Sequence, residues 1–103
     1  MPLVARPLQT SGRVPDRALV ARMMTGDESA YRELLARYRS TVYATAYAIL
    51  TDPETVDRVV AETFEEARRM AREFLATRGS VSGWLTHLTR LRLAGLLEQR
   101  PTH

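Results

Sequence analysis

From position 16 onward the apolar residues recur at helical three- and four-residue steps, and four helices account for them. Leu19, Val20, Met23 and Met24 mark a short first helix, with Asp16 as its predicted N-cap and Gly26 as its stop. Asp27 then caps a second helix of about six turns, whose inward positions are Tyr31, Leu34, Leu35, Tyr38, Val42, Ala46, Ile49 and Leu50. The string Thr51-Asp52-Pro53-Glu54 combines a cap, a first-turn proline and an early acid, and so starts a third helix. Its stripe runs unbroken through Val56, Val59, Val60, Thr63, Phe64, Ala67, Met70, Ala71 and Phe74. The opposite side carries Asp57, Arg58, Ala61, Glu62, Glu65, Arg68, Arg69 and Arg72, with Arg58/Glu62 and Glu65/Arg69 spaced to pair.

A polar stretch, Ala76-Thr77-Arg78-Gly79-Ser80, separates this helix from a fourth, expected from about Val81 to Gln99, capped by Ser80 or Ser82 and blocked by Pro101. Trp84, Leu85, Leu88, Leu91 and Gly95 define its predicted buried face. Leu93 and Leu97 fall outside that face and make a candidate strip for a partner. No stretch alternates as a strand does. The expected fold is all-α, a compact bundle of about four helices over residues 16–100, with a loose arm at 1–15 and a short tail at 101–103.

With 103 residues there is room for one domain. The absence of cysteine removes disulfides, thiolate metal sites and cysteine nucleophiles. No apolar run reaches the roughly 20 residues of a membrane span, and no secretion signal opens the chain, so a cytoplasmic protein without membrane contact is expected. Every one of the 15 basic residues is arginine. The net charge of +3 is uneven: +3 over residues 1–51, −3 over 52–75 and +3 over 76–103. A nucleic-acid surface would therefore use the first two helices or the last, and the acidic third helix should face protein or water.

Catalytic chemistry is not supported. His87 and His103 have no metal-ligand spacing, and there is neither a phosphate-cradling glycine loop nor a nucleophile elbow. Glu65-Glu66 reads as a solvated face. No enzyme activity, metal or cofactor is expected. Tyr31 and Tyr38 fall on the core side of the second helix, whereas Tyr43 and Tyr47 lie on another side suited to an interface.

Several strings together resemble region two of the bacterial sigma-70 family, the extracytoplasmic-function group in particular. They are Asp16-Arg17-Ala18-Leu19-Val20-Ala21-Arg22, Gly26-Asp27-Glu28-Ser29-Ala30-Tyr31, Leu34, Tyr38, Val42-Tyr43, Asp52-Pro53, Val59-Val60-Ala61-Glu62-Thr63-Phe64 and Gly83-Trp84-Leu85. The resemblance, over residues 16–100, implies a helical domain that docks on core RNA polymerase and captures the melted non-template single strand of the promoter minus-ten element. By that resemblance Asp57, Arg58, Ala61, Glu62 and Glu65 would face polymerase, and Arg78, Ser80, Arg90 and Arg92 would face DNA. Trp84 matches the family tryptophan and is expected to anchor the core.

The departures from the family pattern are Arg58, Ala61 and Arg68, where an acid, a glutamine and a tryptophan are usual, and Leu91, Gly95 and Glu98-Gln99 in the last helix. Such changes at a charged interface turn attraction into repulsion. Region four, which reads the minus-thirty-five element in this group, has no counterpart in these residues, and a chain ending after region two is expected. A second reading is therefore a sigma-like interaction module that has lost both activities. It would bind an anti-sigma or other protein partner, or a second copy of itself, through Leu93 and Leu97. A third is a helical DNA-binding protein outside the sigma family, for which +3 is a modest charge.

Overall fold

The computed structural model describes residues 13–99, and within them the chain is all-α, five helices without a strand: α1 (Asp16–Met24), α2 (Glu28–Tyr47), α3 (Pro53–Arg69), α4 (Ala71–Leu75) and α5 (Val81–Glu98). The arm expected at 1–15 falls mostly, and the tail at 101–103 wholly, outside the described residues.

The caps explain where the long helices begin. The Asp27 carboxylate accepts from the backbone N–H of Ser29 (3.0 Å) and Ala30 (3.2 Å). Asp52 accepts from Thr55 N–H at 3.1 Å ahead of Pro53, and Ser80 Oγ accepts from Gly83 N–H at 3.0 Å. A Cβ on Gly83 would stand 3.1 Å from that hydroxyl, so glycine gives the cap its room. Gly26, at φ +95°, takes the left-handed conformation that ends α1 and is strained for other residues.

Asp16, the expected cap of α1, is instead its first residue, with Pro15 in the cap position. Its carboxylate reaches across to α2, accepting from Arg37 Nη1 (2.8 Å) and from the Tyr38 hydroxyl. That bond and partial burial raise the Tyr38 phenol above its ordinary value, so it stays a donor. The Arg37 side chain is 7% exposed and also holds Glu33. α2 stops at Tyr47, short of the expected end. Leu50 still turns into the core through Leu50 N–H to Ala46 O (2.9 Å), but Ile49, expected inside, is exposed.

The stripe of the third helix is buried as its spacing predicts, with Val56, Val59, Thr63, Phe64 and Ala67 shut off from solvent. The helix is not continuous, however. It breaks at Met70 (φ −103°, ψ 14°), and α4 resumes the same face so that Ala71 and Phe74 remain buried. Neither predicted pair on its outer side forms: Glu62 goes to Arg92, Glu65 to Tyr31 and Arg68, and Arg69 to Glu66.

In α5 the buried face is Val81, Leu85, Leu88, Thr89 and Leu93. Leu93, expected in an outward strip, is 3% exposed and belongs to the core; it lies one turn beyond Thr89, whose hydroxyl satisfies itself on Leu85 O at 2.7 Å. The outward leucines are Leu91 (56% exposed) and Leu97 (42%). Leu91, expected inside, was misplaced with Leu93 because the buried arc centres on Leu85 rather than on the Trp84–Leu91 line.

Two stability predictions follow the packing. Leu93→Ala should cost about 2–5 kcal/mol in urea unfolding, as truncation of a core leucine does, while Leu97→Ala should stay within about 0.5 kcal/mol; equal costs would return Leu93 to the surface. The Asp27 and Asp52 carboxyls are held below their ordinary range, Asp27 by the Ser29 hydroxyl and the Ala30 N–H, Asp52 by the Thr55 hydroxyl and N–H. A lowered native pKa gives stability that is present above about pH 4 and is lost as pH falls through the native value. Replacing both by asparagine, a comparable cap, should leave neutral-pH stability close to native and flatten the acid limb of the thermal midpoint against pH. An unchanged acid limb would exclude these caps as its source.

Candidate functional site

The loop 77–80 joins α4 to α5, and one side chain from the far end of the chain shapes it. Arg17 of α1 donates from Nη1 to Gly79 O (2.9 Å) and from Nη2 to Leu75 O (3.0 Å) and Thr77 O (2.9 Å). Its guanidinium also lies 4.6 Å from the centre of the Phe74 ring. Three carbonyls at the end of α4 and in the loop thus have a planar, permanently charged donor, the geometry for which arginine is suited.

Phe74 stacks in turn on Trp84, ring centres 4.2 Å apart and planes within 13°. Trp84 is only half-buried, so it anchors the packing as expected and also presents ring surface. Beside this pair opens a mostly apolar pocket of about 360 Å³, walled by Met70, Phe74, Trp84 and the loop residues Thr77, Gly79 and Ser80. Glu73 stands at its rim.

The residues expected to face DNA divide. Arg78 in the loop and Arg90 on α5 are exposed, with no ion pair among the described residues. Ser80 lines the pocket while serving as the α5 cap. Arg92 is not with them: Nη1 holds Glu62 at 3.1 Å and Nη2 holds Glu66 at 3.6 Å, bracing α5 against α3.

The residues expected to face polymerase form the outer ridge of α3, all five exposed, with a groove on either side. Toward α2, Asp57 accepts from the Tyr43 hydroxyl (2.6 Å) and Glu65 from the Tyr31 hydroxyl (3.1 Å) over a groove of about 520 Å³ floored by Leu35, Val60 and Phe64. The Asp57 bond raises the Tyr43 phenol; burial, then the Glu65 charge, raises that of Tyr31. Toward α5, Arg58 and Glu62 border a groove of about 580 Å³ that includes Leu88, Leu91 and Arg92. Ala61 lies by the α2 groove. Arg68, at the family tryptophan position, lies over the Tyr31 ring at 4.0 Å and pairs with Glu28 of α2 and Glu65 of its own helix, so its charge is engaged within the domain. Of the two tyrosines expected at an interface, Tyr47 is exposed; Tyr43 is half-buried and stacks on it at 6.2 Å.

Among the described residues no group of three or more histidines and carboxylates could hold a metal, and no helix is long and apolar enough to cross a membrane. Burial of Leu93 removes it from the Leu93/Leu97 strip through which the interaction-module reading would bind a partner, while the departures from the family pattern that also prompted that reading remain. The residue that sequence reasoning missed is Arg17: its acceptors lie about sixty positions away, and nothing in the spacing of α1 signals them.

Arg17→Met should remove all three bonds, cost about 1–3 kcal/mol, and shift the emission of Trp84, the single tryptophan. Arg17→Lys, without the fork, should restore only part. Native emission and native stability in Arg17→Met would refute the role given to this side chain.

Comparison with known proteins places a match to the family model for sigma-70 region 2 over residues 34–99. No curated protein and no solved structure matches the chain.

Proposed function

The chain belongs to the sigma-70 region 2 family, and on that premise we propose that it is a transcription-initiation domain of the extracytoplasmic-function type, working in the bacterial cytoplasm by binding rather than by catalysis. In this reading the outer ridge of α3 docks on core RNA polymerase. The pocket beside loop 77–80 accepts an unstacked base from the non-template strand of the minus-ten element.

The observation that carries the proposal is the Phe74–Trp84 wall beside a loop whose carbonyls Arg17 holds, with Arg78 exposed in that loop and Arg90 exposed farther along α5. A base taken out of its stack needs an aromatic or apolar surface to replace its neighbours, and such stacking contributes about 1–3 kcal/mol per base. Arg78 and Arg90 then hold phosphates on either side of it. Arg92 supports them indirectly, by keeping α5 in place on α3. Two arginines give little affinity by themselves, so DNA capture depends on polymerase delivering the melted strand.

On the docking ridge Asp57, aligned by the Tyr43 hydroxyl and without an ion pair among the described residues, is the charge most available to a basic partner surface, and Glu65 is shared with Tyr31 and Arg68. Arg58 stands exposed among them and weakens that attraction. Ala61 leaves the α2 groove open to an apolar side chain of the partner.

Equilibrium binding to core polymerase tests the first half, with micromolar or tighter affinity expected and a gain on Arg58→Asp. Quenching of Trp84 by a minus-ten single strand, with the domain bound to polymerase, tests the second. Arg78→Ala should lower the dependence of log affinity on log salt by about 0.7, the single-strand value for one phosphate contact. No retention on polymerase at low salt, or quenching indifferent to Arg78 and to salt, would defeat the proposal.

A further inference from the structure

Three of the four glycines along helices α1 to α5 and their links serve the domain itself. Gly26 ends α1, Gly79 gives its carbonyl to Arg17, and Gly83 makes room for the Ser80 cap. Gly95, in the interior of α5, has no such part. A Cβ there would meet nothing within 4 Å, and its φ is not in the left-handed range. Glycine is, after proline, the least favourable residue in a helix interior, and its use is to let another group come close to the backbone.

Gly95 lies in the groove of about 580 Å³ between α3 and α5. The apolar lining there is Leu88, buried, Leu96, half-buried, and Leu91, which at 56% is the most exposed large apolar side chain among the described residues. The charges of the groove are not equivalent. Glu62 and Glu66 both hold Arg92, and Glu66 holds Arg69 as well. Arg58, one turn before Glu62, is exposed and in no ion pair among the described residues. Arg58, Leu91, Gly95 and Gln99, all departures from the family pattern, thus come from two helices to line this one groove.

We propose that the α3–α5 groove is a docking site for an amphipathic helix of another protein, one that carries an acidic residue at the edge of its apolar stripe. Two helices side by side present a furrow that accepts the ridge of a third. No strand edge exists among the described residues for an extended segment to join. From Leu88 to Gln99 the furrow measures about 16 Å, about three helical turns. In it the partner's backbone passes closest at Gly95, its apolar side chains cover Leu91 and reach Leu88 and Leu96, and its carboxylate meets the guanidinium of Arg58.

The same lining opposes other occupants. A nucleic-acid strand would run along Glu62 and Glu66 on one wall and Leu91 on the other. A basic helix would face Arg58 with a like charge and find Glu62 and Glu66 already held by arginines. The contact is short, at the low end of specific interfaces, so its affinity is modest. The inference does not rest on the promoter-DNA reading. It meets the polymerase reading only at Arg58, and one substitution separates the two: Arg58→Asp should strengthen polymerase binding and weaken the acidic helix.

The test is a displayed library of helices of about five turns, with a fixed leucine stripe and Glu, Gln or Lys at the flanking positions, selected on the full chain. Survivors should carry Glu beside the stripe and, as synthetic peptides, bind the native chain with a Kd of about 1–100 µM. Arg58→Asp and Gly95→Leu should each weaken them at least about tenfold, while Leu97→Ala, outside the groove, should leave them unchanged. Gly95→Leu puts a good helix former into open space, so its urea midpoint should equal or exceed the native one, and lost binding is then not lost folding. A selection that yields no binder, survivors with no preference for Glu over Lys, or peptides that bind Gly95→Leu as tightly as the native chain would overturn the proposal. So would self-association of the native chain in sedimentation that Gly95→Leu abolishes, which would assign the groove to a second copy.

Discussion

Burial of one side of α3 is the constraint on which the domain depends. This helix packs on α1, α2, α4 and α5, and Val56, Val59, Phe64 and Ala67 lie at the centre of the contact with no solvent access. Each large apolar side chain buried there contributes about 1.5–3 kcal/mol, against at most about 1 kcal/mol for an exposed ion pair. Hydrophobic burial therefore decides where the helices sit, and the arginine–carboxylate pairs select among the registers it allows. Thr63 is the one polar interruption on the stripe, and its hydroxyl has no partner among the described residues. At that position the helix forgoes a methyl-sized gain in burial and leaves a hydrogen bond unmade.

The polar side of α3 is used more heavily inside the domain than its exposure suggests. Glu62 and Glu66 hold Arg92 of α5, Glu65 holds Arg68 and Tyr31, and Asp57 holds Tyr43. An acidic helix between two basic flanks thus binds those flanks first. What remains for an external partner is a ridge of mixed sign, with Arg58 in no ion pair among the described residues and Ala61 small. On this helix the acids have local work, and Arg58 and Ala61, which depart from the family pattern, are left on the exposed ridge.

Much of the fold was legible because caps and periodicity are local. Asp27, Asp52, Pro53 and Ser80 begin helices where their chemistry allows, and the stripe of α3 reads directly as a buried face. The failures share a cause, dependence on something distant. Asp16 looks like a cap until Arg37 and Tyr38 arrive from α2. Met70 carries no breaker, yet the helix turns there. In α5 the apolar residues are too many to fix a phase, since leucines occur on every side; Thr89 belongs to the core and Leu91 does not, the reverse of what polarity suggests. The charge set was separated the same way, Arg92 leaving the presumed DNA group because Glu62 and Glu66 lie within reach.

The pocket shows how a site can depend on an element that contributes nothing to its lining. Phe74, Trp84 and loop 77–80 belong to α4, α5 and the link between them, but the loop's carbonyls at Thr77 and Gly79 are held by Arg17 from α1. Without that guanidinium any molecule entering the pocket would have to order the loop itself, and the entropy of ordering would be subtracted from its binding. Arg17 spends it during folding instead, when α1 is already fixed by Leu19 and Val20 in the core. The first helix therefore acts on the pocket through preorganisation, and α5 supplies Trp84 to it from a helix whose inner face belongs to the core.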